Sequence, residues 1–141
     1  MEFLVEDQSE LENVCREIIN STSRKVFLFE GDLGAGKTTT IRAFCKVLDC
    51  IDDVSSPTFS LINHYKTKNN ANIYHFDFYR IKSAEEAMDM GFEEYLDKGD
   101  YCLIEWPEII MNLIFTEYVR VKIKAENNTR LIKVYTDESV R

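Results

Sequence analysis

No apolar run in these 141 residues reaches the roughly 18–20 positions that a membrane-spanning helix needs. The first residues, Met1-Glu2-Phe3-Leu4-Val5-Glu6, lack the basic start of a secretory leader, so the expected location is cytoplasmic, away from any membrane. The four cysteines, Cys15, Cys45, Cys50 and Cys102, form no CxxC pair, which favours reduced thiols over a metal site. Positive charge is short: 17 Lys and Arg against 25 Asp and Glu give a formal net charge of -8. A broad electrostatic grip on nucleic acid needs basic residues in numbers, so direct RNA binding by this chain alone is not expected. Histidine is scarce too, and neither His64 nor His75 has a partner at a spacing that marks a metal site or a triad; both are expected to be structural. Repeats, low-complexity tracts and linkers are absent. A chain of this length that is 45% hydrophobic fits one domain, 1–141, with a single core.

What the chain does have is the stretch Gly31-Asp32-Leu33-Gly34-Ala35-Gly36-Lys37-Thr38-Thr39, placed between the apolar run Val26-Phe27-Leu28-Phe29 and a helical pattern. Its spacing of Gly31, four residues, then Gly36-Lys37-Thr38 fits a strand-loop-helix phosphate cradle. Chance would supply the four fixed positions in only about one chain of this length in a few hundred. Glycines let the main chain approach phosphate oxygens, and the start of the following helix adds roughly half a positive charge. Lys37 is placed to reach β- and γ-phosphates, and the Thr38 hydroxyl suits Mg²⁺, a hard cation that prefers oxygen.

The rest of the chain reads as an α/β protein. Leu11, Val14, Cys15, Ile18 and Ile19 form the stripe of an amphipathic helix over 7–21, with Ser9 and Glu12 as its capping box. A buried strand at 25–30 precedes the cradle, and a helix from Gly36 follows with Ile41, Phe44, Cys45 and Leu48 on one face. Residues 59–65 and 72–80 suggest two strands joined at Lys68-Asn69-Asn70. In the second, alternation sets Tyr74, Phe76 and Phe78 against His75, Asp77 and Tyr79. A short helix at 84–90, capped by Ser83 and Glu86, stops at Gly91; a buried strand at 101–104 ends at Glu105-Trp106-Pro107, where Pro107 opens a helix. Alternation from Val119 to Tyr135 indicates an antiparallel hairpin with one wet face. Between 85 and 108 nine acids face only Lys98, which gives solvated positions or a docking surface for a basic protein.

A cradle needs an acid at the carboxyl end of a neighbouring strand to share the metal, and Glu105 fits. Thr58, in the loop ending Ser56-Pro57-Thr58, is a candidate sensor of the γ-phosphate. Asp77 is a candidate to orient the attacking water or to join the metal shell, unless it simply pairs with Arg80 or Lys82. A guanine-specific GTPase would carry Asn/Thr-Lys-x-Asp after a strand, whereas Asp97-Lys98-Gly99-Asp100 comes before one. A small-molecule kinase usually brings several arginines to the transferring phosphoryl group, yet Arg80 is the only arginine between Arg42 and Arg120. A non-catalytic, nucleotide-sensing adaptor stays open as a third alternative.

The cradle together with Ser56-Pro57-Thr58-Phe59, His75-Phe76-Asp77-Phe78-Tyr79-Arg80 and Leu103-Ile104-Glu105-Trp106-Pro107 resembles the TsaE family in order and spacing from about residue 25 to 108. The resemblance implies a P-loop NTPase-like three-layer fold: a mixed central sheet with a parallel core and antiparallel hairpins, and helices on both faces. It implies an ATPase using ATP and Mg²⁺, acting with the TsaB and TsaD proteins in making N6-threonylcarbamoyladenosine beside the tRNA anticodon. TsaD is then the subunit that performs the transfer, and ATP hydrolysis resets the complex. Carried over by position, Gly31, Asp32, Leu33, Gly34, Ala35, Gly36, Lys37, Thr38, Thr39, Thr58 and Trp106 bind the nucleotide. Thr38 and Glu105 hold the metal, and Asp77, Glu105 and Lys37 are the catalytic candidates. Contact with tRNA is then indirect, through the assembly, in keeping with the negative charge.

Overall fold

The computed structural model describes residues 1–57 and 60–136. Seven strands form one sheet: β1 (Glu2–Val5), β2 (Val26–Glu30), β3 (Ile62–Lys66), β4 (Asn72–Asp77), β5 (Tyr101–Glu105), β6 (Val119–Glu126) and β7 (Thr129–Tyr135), in the order β1-β7-β6-β2-β5-β4-β3. The central four, β4-β5-β2-β6, run parallel, while β3 pairs antiparallel with β4 and β7 pairs antiparallel with both β6 and β1. This is a P-loop fold with a mixed sheet and helices around it, as the resemblance implied.

Two apolar layers cover the sheet. On one face, Phe27, Phe29, Leu103, Val119, Val121, Ile132 and Val134 pack against α1 (Leu11–Asn20) and α2 (Lys37–Val47). Phe44 of α2 meets Phe27 edge-on at 4.7 Å and Phe29 at 5.6 Å. On the other face, Leu28, Tyr74, Phe76 and Ile104 pack against α3 (Ala84–Asp89), α4 (Phe92–Asp97) and the 3₁₀ segment Pro107–Leu113. β2 and β5 are therefore apolar at almost every position because both their faces are covered. In β6 only Val119, Val121 and Ile123 are buried, and Arg120, Lys122 and Lys124 occupy the wetter face.

Several local expectations change. The cap of the first helix is Asp7 with Glu10, not Ser9 with Glu12, and it opens a 3₁₀ turn, Gln8–Glu10, ahead of α1. Glu10 Oε1 accepts the backbone N–H groups of Asp7 at 2.7 Å and Glu6 at 2.9 Å. Ser83 makes no capping bond to α3. β3 starts at Ile62, while Phe59, its expected first residue, lies outside the described residues; β4 ends at Asp77 rather than Arg80. Pro107 opens a 3₁₀ segment, tighter than the expected helix. β1 follows from tertiary packing: it is four residues that complete the sheet edge on β7. The cysteines are free thiols, and burial pushes Cys15 and Cys102 up to about 12, which makes them poor nucleophiles. Among the described residues no helix is long and apolar enough to cross a membrane.

Candidate functional site

Because β2, β4 and β5 are parallel, their carboxyl ends open on the same edge of the sheet, where α/β folds place their ligands. Asp77 lies directly beside Glu105 in register, and Glu105 beside Phe29. All three belong to the sheet face that α2 covers, so both carboxylates point toward the loop that joins β2 to α2.

That loop is shaped by two glycines in particular. A Cβ on Gly31 would lie 2.6 Å from the carbonyl oxygen of Ile123, so only glycine lets the loop leave β2 this close to β6. Gly36 precedes α2 with φ 101°, a left-handed conformation that side chains disfavour. Among the described residues no side chain caps the start of α2, so its first N–H groups face the cavity and are available to an anion.

Lys37 is 5% exposed and folds back on the loop: its Nζ donates to the carbonyl of Gly31 and to that of Asp32 at 3.0 Å. Trp106 covers it, with Nζ 4.0 Å from the centre of the indole. Burial lowers the Lys37 pKa, and the charges of Glu105, Glu108, Asp77 and Asp32 oppose that shift. Trp106 itself has φ 55° and ψ 59°, a strained conformation for an aromatic residue, and its ring rests against Tyr79 at 4.8 Å.

Glu105 is 3% exposed and fully engaged. Oε1 lies 3.3 Å from the Thr38 hydroxyl; Oε2 accepts from His75 Nε2 at 2.7 Å and lies 3.4 Å from the Ser56 hydroxyl. The Thr38 and Ser56 hydroxyls are 2.6 Å apart. Asp77 makes no ion pair with Arg80 or Lys82 among the described contacts; its Oδ1 accepts the N–H of Tyr79 at 3.0 Å. Burial raises its pKa above the ordinary value; the Tyr79 N–H works against this, the Glu105 charge adds to it, and His75 and Lys37 pull it back down.

The structure brings Leu33, Gly34, Gly36, Lys37, Thr38, Thr39, Asp77, Glu105 and Trp106 together around a cavity of 390 Å³. Gly31, Asp32 and Ala35 do not line it, although the first two hold Lys37 by their carbonyls. Thr58 lies outside the described residues. Three further residues, Ser56, Tyr79 and Arg130, complete the wall. Arg130 arrives from β7 and has no sequence signal. His75, expected to be structural only, touches the central carboxylate. A second cavity of 230 Å³ shares Gly36, Thr39 and Arg130 with the first and runs on to Val5, Gln8, Leu11 and Asn128.

The family model described as threonylcarbamoyl adenosine biosynthesis protein TsaE matches residues 5–132. A Rickettsia typhi protein named tRNA threonylcarbamoyladenosine biosynthesis protein TsaE is 45% identical over 117 residues, covering 82% of this chain and 80% of that protein. A Rickettsia conorii protein of the same name is 45% identical over 115 residues, 79% of this chain but 64% of its own length. A Bacillus subtilis one is 38% identical over 99 residues, 70% of this chain and 61% of that protein. Among solved structures, the crystal structure of Bacillus subtilis YdiB superposes with a TM-score of 0.71 at 27% identity, covering 94% of this chain and 82% of that one. With a family model spanning nearly the whole chain and relatives this similar over most of it, the chain belongs to the TsaE family.

Proposed function

We propose that this chain is the Mg²⁺-dependent, ATP-binding and ATP-hydrolysing subunit that works with TsaB and TsaD in the N6-threonylcarbamoyl modification of the tRNA adenosine adjacent to the anticodon. The observation that carries this reading is the meeting of Lys37 and Thr38, at the start of α2, with Asp77 and Glu105, at the ends of β4 and β5, around one 390 Å³ cavity.

In this reading the phosphates lie over the first turn of α2. Lys37 leaves the Gly31 and Asp32 carbonyls to reach the β- and γ-phosphates, and Arg130, whose side chain lies beside Gly36, adds a second positive charge. The nucleoside runs past Thr39 into the adjoining 230 Å³ cavity. Among the described residues no three of His, Cys, Asp and Glu converge to hold a metal. The Thr38 and Ser56 hydroxyls and the Glu105 carboxylate are instead hard oxygen donors, few in number, which suits a cation that keeps waters and phosphate oxygens in its shell. Bound Mg²⁺ would neutralise charge on the β- and γ-phosphates. Asp77, kept half-buried at the cavity wall, orients the attacking water, and its raised pKa makes it a better proton acceptor than an ordinary aspartate. Among the described residues one arginine, Arg130, lines the cavity, fewer than a phosphoryl-transferring kinase site usually gathers. ATP turnover moves the loop around Ser56 at the interface with the partner proteins and so resets the assembly, while the transfer to tRNA takes place on TsaD.

The test separates an ATPase from an adaptor. Asp77→Ala should bind ATP as the unmodified chain does while losing hydrolysis and tRNA modification together. If modification survives with that variant, the chain senses ATP without needing to hydrolyse it.

A further inference from the structure

We propose that His75 and Tyr65 are positioning residues that fix the Glu105 carboxylate and the Ser55–Ser56 loop to one buried point, so that neither moves without the other. The proposal rests on the reading that Glu105 helps hold the cation of a bound nucleotide.

The short contact to Glu105 comes from His75. At 2.7 Å it lies well inside hydrogen-bond range, whereas the Thr38 and Ser56 hydroxyls stand at the outer edge, 3.3 and 3.4 Å away. His75 has no exposed surface, so it can neither turn to water nor exchange its partners cheaply. Its other nitrogen, Nδ1, is 3.0 Å from the Tyr65 hydroxyl. The same hydroxyl lies 2.8 Å from the carbonyl of Ser55 and accepts the Ser55 N–H at 3.2 Å, while Asn63 Nδ2 donates to that carbonyl at 2.8 Å. Ser56, the next residue, returns to Glu105 and closes the circuit. Asn63, Tyr65, His75 and Glu105 share the sheet face under α2, and Tyr65 and His75 are surrounded by the apolar layer that contains Phe44 and Ile73. Two apolar side chains would fill that space without polar groups to satisfy, so packing alone does not call for this pair. A chain of satisfied hydrogen bonds in a low-dielectric interior supplies direction instead.

Removing such an outer partner of a metal ligand typically weakens metal binding by about 10–100-fold. The experiment measures ATP affinity of the full chain by calorimetry, in EDTA and across a Mg²⁺ titration. For Tyr65→Phe and His75→Leu, affinity in EDTA should stay within about twofold of the unmodified chain, while the Mg²⁺ needed for half of the metal-dependent gain should rise about 10–100-fold. His75→Gln, which keeps a donor toward Glu105, should recover most of the loss. In the nucleotide-free chain, Tyr65→Phe should speed hydrogen exchange at the Ser55 amide by about fivefold, the effect of one lost hydrogen bond. Asn63→Ala changes a half-buried position outside the core; should the core variants fail to fold, it should still shift the Mg²⁺ titration in the same direction. Folded variants that titrate with Mg²⁺ as the unmodified chain does would overturn the proposal. An unmodified chain whose ATP affinity ignores Mg²⁺ would instead remove the reading of Glu105, and this inference with it.

Discussion

Asp77 illustrates how burial shifts the ionisation of one side chain at the expense of stability. Its carboxyl is harder to ionise in the folded chain than in the unfolded one, chiefly because it is taken out of water. Folding therefore becomes less favourable as pH rises from the ordinary carboxylate value through the raised one, and the penalty remains at neutral pH. Asp77→Asn retains an oxygen for the Tyr79 N–H and removes the charge. Thermal unfolding of the nucleotide-free variant should show a higher midpoint than the unmodified chain at neutral pH, with the gain vanishing below the carboxylate range. Trp106 offers a second residue-level readout, since it is the single tryptophan and Lys37 Nζ rests 4.0 Å over its ring. Adding ATP should draw the lysine off the indole and change its emission; Lys37→Met should show a different starting emission and no such response to ATP.

At the scale of elements, the cradle is held by the strand beside it. Gly31→Ala would drive a methyl group to 2.6 Å from the Ile123 carbonyl, a backbone atom that cannot step aside. Overpacking of this kind costs about 1–3 kcal/mol, which denaturant unfolding would register, and nucleotide affinity should fall with it because the loop leaves β2 at a new angle. In α2, Phe44→Ala would empty the space between Phe27 and Phe29 and cost about 3–5 kcal/mol. Elements whose cues are local were legible in the sequence. The cradle is a nine-residue pattern; Glu105 announces itself by ending an apolar run; and the alternation in β4 and β6 states which side chains share a face. What escaped depends on partners distant in the chain. His75 lies 30 residues from the carboxylate it touches. Arg130 reaches the cavity only because β7 turns back beside β6, and β1 exists as a strand only because β7 offers it an edge. The cap at Asp7 was missed for a different reason: Ser9 with Glu12 shows the same spacing two residues later, and spacing alone does not rank them.

Across the whole molecule, one sheet serves two purposes on its two faces. The α2 face carries the cradle, the carboxylates and the His75–Tyr65 chain. The α3–α4 face presents Glu85, Glu86, Asp89, Glu93, Glu94 and Asp97, all exposed, which accounts for much of the net charge of -8 and makes that side repel other anions. A chain built this way suits a subunit that supplies nucleotide chemistry to an assembly whose RNA is held elsewhere. The most direct measurement is therefore made on the assembly: ATP hydrolysis and threonylcarbamoyl transfer to tRNA, followed in parallel for the chain combined with TsaB and TsaD, with and without Lys37→Ala. The account predicts that the substitution abolishes ATP turnover and tRNA modification together; undiminished modification with Lys37→Ala would contradict it.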